Sequence, residues 1–120
     1  MQFMLAGIAF IAACQSKSSQ VKAFIGGVYV RHSAGAYAVA DDTLAFRLLD
    51  GDQYSVLRKV GYRAIRQGRL LPKKMQMEEL EGVFDAQHLV LNENTTGRVF
   101  RFDPISRVLW LKQAEYRKLD

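Results

Sequence analysis

The sequence predicts an all-β fold: an antiparallel meander of about eight short strands, closed into a small barrel or folded into a sandwich. Three observations carry this expectation. Apolar and polar residues alternate with a period of two through most of the chain, as in strands with one covered face. Turn-forming residues interrupt these runs at short, fairly even intervals. No long stretch repeats at the 3.6-residue spacing of an amphipathic helix. Closure follows because an open sheet would leave exposed edges.

The elements follow in order. A short helical turn at 21–25 leads into a first strand at 26–32, which ends at Ser33-Ala34-Gly35-Ala36. The second strand, 42–50, shows Leu44, Phe46 and Leu48 alternating with Thr43, Ala45 and Arg47. Asp50-Gly51-Asp52 is the strongest hairpin signal. It opens a strand at 53–60, where Tyr54, Val56 and Arg58 alternate with Ser55 and Leu57. A separate strand at 62–67 ends at Gln67-Gly68-Arg69. The next, 74–80, is less well determined, because Met75-Gln76-Met77-Glu78-Glu79-Leu80 also suits a helix. Strands at 87–92, 98–103 and 107–112 are separated by Asn92 to Gly97 and by Asp103-Pro104-Ile105-Ser106, with a ninth at 114–118. Phe46, Phe84, Phe100, Phe102 and Trp110 are expected to point inward and fill the interior.

Composition narrows the function. At 120 residues, 49% hydrophobic and 24% charged, the chain is one ordinary globular domain rather than a disordered segment. A single cysteine excludes a disulfide framework and multi-cysteine zinc sites. His32 and His88 have no Ser-Asp or Cys partner at a recognisable spacing. Gly26-Gly27 lacks the Gly-Lys-Ser/Thr ending of a phosphate loop, and Asp41-Asp42 with Asp50-Gly51-Asp52 does not match an EF-hand. The expectation is a non-enzymatic protein without metal or cofactor.

Residues 1–13 are apolar apart from Gln2, carry no charge, and are too few to span a membrane as a helix. They end in Ile11-Ala12-Ala13-Cys14, after which Gln15, Ser16, Lys17, Ser18, Ser19 and Gln20 are polar. This resembles a bacterial lipoprotein signal peptide with its lipobox, although no Lys or Arg stands near its start. The resemblance implies a signal peptide at 1–13, lipidation of Cys14 and a membrane anchor through it. A flexible tether at 14–21 and a β-domain at 22–120 would follow. Gln15, in place of the Asp of inner-membrane retention, implies the outer membrane. The lack of a following acidic run implies its periplasmic face.

Gly27-Val28-Tyr29 resembles the Gly-x-Trp step of lipocalin-like small barrels. That resemblance implies that Tyr29 plugs one barrel end with Arg117 stacked on it. Gly27-Val28-Tyr29-Val30-Arg31, Gly61-Tyr62-Arg63, Gly97-Arg98-Val99-Phe100, Phe102-Asp103-Pro104 and Ala114-Glu115-Tyr116-Arg117-Lys118 are similar to small lipoproteins of the Bacteroidota associated with conjugative transposons. This resemblance implies a location and a conjugation setting, and transfers no catalytic residue.

The main electrostatic feature is a run without Asp or Glu from residue 58 to 74, in a chain of net charge +5. Arg58, Lys59, Tyr62, Arg63, Arg66, Arg69, Lys73 and Lys74 form the candidate binding face. Tyr37, Tyr62 and Tyr116 are candidate exposed contact aromatics. An envelope protein or the membrane is the expected partner, and a periplasmic location disfavours nucleic acid. Two other readings are a lipocalin-like carrier of a small apolar ligand, and an inhibitor that inserts a loop around Asn92–Gly97 into an envelope hydrolase.

Overall fold

The computed structural model describes residues 16–119. The expected signal peptide and Cys14 lie outside the described residues. The chain forms one helix, α1 (Ser16–Ile25), and nine strands: β1 (Gly27–Ala34), β2 (Ala38–Asp50), β3 (Gln53–Arg66), β4 (Arg69–Leu70), β5 (Lys74–Asp85), β6 (Val90–Glu93), β7 (Val99–Asp103), β8 (Val108–Leu111) and β9 (Ala114–Lys118). Every pairing is antiparallel and joins strands adjacent in sequence, except β3 with β5 and β1 with β9. The β1–β9 seam turns the meander into a closed eight-stranded barrel. It is short, pairing Tyr29 with Lys118 and Val30 with Arg117, with the Leu119 N–H donating to the Val28 carbonyl at 2.8 Å. The expected barrel is therefore present, and the sandwich is not.

Two elements differ from the sequence expectation, and one ambiguous strand is settled. The strands expected at 53–60 and 62–67 are one strand, β3, running straight through Gly61. Gly61 breaks nothing, because its missing side chain makes room for Lys73 and Met75: an added Cβ would lie 2.5 Å from Lys73 Cε and 2.9 Å from Met75 Sδ. The ambiguous segment at Met75 is a strand, since β3 offers it an extended edge along Gln53–Tyr62. The expected tether is helical from Ser16. Val21, Phe24 and Ile25 share one face and pack into the barrel mouth, so tertiary burial stabilises a helix too short to form alone.

The interior is a contiguous apolar core of inward residues from every barrel strand. At its centre Phe46 meets Tyr29, Phe100 and Phe102 edge-on, with ring centroids 5.2–5.5 Å apart, a favoured aromatic geometry. Phe84 is also buried. Trp110 is not part of this core. It is half-buried on the outer wall, opposite Arg101 and Glu115, because the inward positions of β8 and β9 fall to Leu109 and Tyr116.

The two ends of the barrel are closed differently. At one end α1 is the plug. The buried Tyr29 hydroxyl donates to the carbonyls of Phe24 and Ile25, both at 2.9 Å, satisfying acceptors at the helix end. Lys22 ties the helix to the β2–β3 turn through the Gly51 carbonyl and Asp52, each at 2.8 Å. At the other end the lid is polar. Asp42 accepts from Arg58 Nη2 and from the Tyr116 hydroxyl, each at 2.7 Å, and Arg98 pairs with Glu78 at 2.7 Å.

Candidate interaction site on the cationic extension

The barrel strands are unequal. β6 covers β5 only at Gly82–Asp85, and β9 covers β1 only at Tyr29 and Val30. β1, β2, β3 and β5 nonetheless remain paired beyond the polar lid, out to Ala34, Ala38, Ala64 and Lys74. They project from the barrel as a four-stranded extension, on the side opposite α1. Its end is formed by the β1–β2 turn, closed by the Gly35 N–H on the Ala38 carbonyl at 2.9 Å, and by the Gln67-Gly68 turn. Gln67 and Gly68 both have positive φ, 53° and 73°, as a two-residue hairpin turn between twisted strands requires.

Charge is unevenly divided between barrel and extension. Residues 31–41 and 59–77 hold Arg31, Lys59, Arg63, Arg66, Arg69, Lys73 and Lys74 against one acid, Asp41. That local excess is larger than the net +5 of the whole chain, so the remainder is close to neutral. Asp41 itself bonds the His32 ring at 2.6 Å, and this bond holds its carboxyl below its ordinary range. Two apolar side chains stand at the far end among these cations: Tyr37, 82% exposed, and Leu70, 50% exposed.

The strand register sorts the candidate residues. Arg58 does not belong to the free cationic face. It is held in the polar lid by both carboxylate oxygens of Asp42, and that bond raises its affinity for its proton. Lys59, Arg63 and Lys73 lie on the outer face, with Lys73 crossing Gly61 and Arg63 Nε donating to the Leu71 carbonyl at 2.9 Å. Tyr62, Arg66 and Lys74 alternate with them onto the inner face. Arg66, Arg69, Lys73 and Lys74 are exposed, whereas Tyr62 is half-buried. Tyr116 is not an exposed contact residue. It is buried beneath Asp42, and burial together with that bond pushes its hydroxyl up to about 12.

At the plug end Tyr29 is fully buried, and burial raises its hydroxyl pKa against the opposing charge of Arg107. The cation over its ring is Lys118, not Arg117. Lys118 Nζ lies 5.6 Å from the Tyr29 centroid and 4.2 Å from that of Phe24, and it donates to the Phe24 carbonyl. Strand alternation gives the reason: Tyr116 points inward, so Arg117 points out and is exposed, and Lys118 points in again. That parity was available in Ala114-Glu115-Tyr116-Arg117-Lys118 once the inward residue of β9 was known.

The segment considered for insertion into a hydrolase is folded down. The Glu93 carboxylate is buried and accepts from the N–H groups of Thr95 and Thr96 at 2.6 and 2.9 Å and from the Thr96 hydroxyl. The Asn94 N–H donates to the Glu81 carbonyl at 2.9 Å, pinning the turn to the barrel wall. No composition signal marked Glu93 as a buried turn organiser. The element that protrudes is the extension.

Two clefts border this region. One, of about 560 Å³, lies on the inner face above the lid and is lined by Arg58, Val60, Gln76, Met77, Glu78 and Arg98. The other, of about 770 Å³, crosses the outer positions of β2, β3 and β5 and is bounded by Asn94 and Thr95. No family model, curated protein or solved structure matches the chain.

Proposed function

We propose that this is a non-enzymatic, lipid-anchored docking protein of the outer membrane that works by contact between its cationic extension and an acidic envelope partner. The single observation that carries the reading is the separation of charge. The extension holds the positive excess and four exposed apolar side chains, Tyr37, Leu70, Met75 and Met77, while the barrel behind it is filled and close to neutral. Such a patch accelerates encounter with an oppositely charged surface, and apolar groups among the cations add contact area once docked. A lipid on Cys14 would hold the α1 end at the membrane and leave the extension facing away from it, toward a partner at high effective concentration. The resemblance to conjugation-associated lipoproteins supports an assembly of that kind as the partner. The carrier reading finds less support, since aromatic side chains occupy the barrel interior.

The test is capture of envelope proteins by the full chain at rising salt. Binding should weaken steeply between low and physiological ionic strength, as screening shortens the reach of exposed charges to about 8 Å. It should also be lost when Arg66, Arg69, Lys73 and Lys74 are all changed to Glu. Salt-insensitive capture, or capture unaffected by this charge reversal, would refute the reading. Cys14→Ala should release the protein from membranes, and continued membrane retention would refute lipid anchoring.

A further inference from the structure

β5 is two strands in one. Gly82 and Val83 pair with both β3 and β6, whereas Lys74–Leu80 pair with β3 alone. In an antiparallel strand the N–H and C=O of a given residue point to the same side, and sides alternate along the chain. The Glu81 carbonyl is taken by Asn94 on the β6 side, while the Phe84 N–H is taken by Asp52 on the β3 side. Odd-numbered residues therefore present their main-chain groups outward. Among the described residues, the outward groups of Met75, Met77 and Glu79 meet no neighbouring strand. They form an edge template about 17 Å long, at roughly 3.4 Å per residue. Natural sheets ordinarily cover or blunt such an edge.

The side chains along this edge sort by face. Outward-facing Met75 and Met77 are 58% and 63% exposed, and make an apolar strip. Lys74 and Gln76 lie on the inner face beside the cleft that holds the Arg58 and Arg98 guanidiniums. The acids on that inner face are already paired, Glu78 with Arg98 and Asp42 with Arg58. An added strand places its successive side chains on alternate faces. One set would lie over the methionines, and the other would face Lys74 and the cleft beside it.

We propose that the β5 edge at Met75–Glu79 takes an extended segment of a partner protein as an added antiparallel strand, and that this segment alternates apolar with acidic residues. The proposal rests on the extension being the contact element. It adds how the partner binds: main-chain bonds to Met75, Met77 and Glu79, apolar contact on Met75 and Met77, and carboxylates over Lys74 and the cleft.

The test uses the full chain and a peptide of about eight residues that alternates valine with aspartate, with a valine–lysine peptide as control. Amide hydrogen exchange is followed residue by residue. The aspartate peptide should slow exchange at Met75, Met77 and Glu79 by about tenfold or more, and leave Gln76 and Glu78, already bonded to β3, unchanged. Met77→Pro removes an outward N–H that β3 does not use, a position where an edge strand tolerates proline. It should weaken the aspartate peptide about tenfold, whereas Met77→Ala should retain most of the binding. Should Met77→Pro fail to fold, methylating alternate backbone nitrogens of the peptide removes the same bonds from the other side and should abolish binding. Equal binding of the lysine peptide would overturn the proposal. So would protection of the three amides by a second copy of the chain, seen as concentration dependence without peptide. Aspartate-peptide binding that is lost at high salt but leaves these amides unprotected would overturn the added strand alone and leave the cationic docking surface standing.

Discussion

At the scale of single residues, Glu93 ties stability to pH. Burial alone would raise its pKa. Hydrogen bonds from the Thr96 hydroxyl and from the N–H groups of Thr96, Thr95 and Arg98 outweigh that effect and hold it at about 2, against 4.5 for an ordinary glutamate. A folded-state pKa below the unfolded one contributes stability that is fully present above about 4.5 and is lost as pH falls toward 2. Urea denaturation across this range should show the loss in the native chain. In Glu93→Gln, which leaves the turn N–H groups poorly partnered, stability at pH 7 should fall by about 1–3 kcal/mol and the acid-dependent part should shrink. Tyr29 tests the plug in the same way. Tyr29→Phe strips the hydroxyl from two carbonyls at the end of α1 and should cost about 1–3 kcal/mol, with faster amide exchange concentrated in Val21–Ile25. An unchanged exchange pattern would mean that packing of Phe24 and Ile25 alone holds the helix.

At the scale of elements, two glycines of similar burial should behave differently. An added Cβ at Gly82 would come within 2.8 Å of the Asn92 carbonyl oxygen, which is fixed in the β5–β6 ladder. Gly82→Ala should therefore cost about 1–3 kcal/mol by overpacking and loosen β6. At Gly61 the obstructing atoms are Lys73 Cε and Met75 Sδ, near the ends of flexible side chains. Gly61→Ala should move those side chains and change stability by no more than about 0.5 kcal/mol. Thermal or urea denaturation of the two variants decides the matter, and equal losses would mean that β3 cannot spare the crossing of Lys73. This element also shows where the sequence was legible. The alternation of Leu44 and Phe46 and of Tyr54 and Val56 marks true strand faces, and Asp50-Gly51-Asp52 is a true hairpin. Gly61 read as an interruption because the sequence does not show what crosses over it.

At the scale of the whole molecule, the barrel and its extension divide the work of stability from that of contact. The barrel core is aromatic, and α1 completes it. Phe24→Ala would remove the ring that packs edge-on to Tyr29 and Phe102, at a cost of about 3–5 kcal/mol read by denaturation. The extension has little core of its own. Tyr37, Leu70, Met75 and Met77 remain exposed there. Opening should accordingly be easiest at its tip, where amide exchange at Tyr37 and Leu70 should outpace that at Leu44 and Leu109 by orders of magnitude. Uniform exchange across barrel and tip would contradict this division.

The sequence by itself determined the all-β class, most strand positions, the inward placement of Phe46, Phe84, Phe100 and Phe102, and the concentration of cations between residues 58 and 74. These are local properties: alternation, turn chemistry and charge are written in neighbouring residues. Only the tertiary structure decided which cations are free. Arg58 left the candidate site because Asp42 and Tyr116 come from strands distant in sequence. Lys118 took the place expected of Arg117 because the inward parity of β9 is set by its partners across the barrel. The extension, its two faces and its open β5 edge exist because β2, β3 and β5 are longer than the strands beside them, and how far one strand outruns its neighbours depends on pairings between segments far apart in the chain.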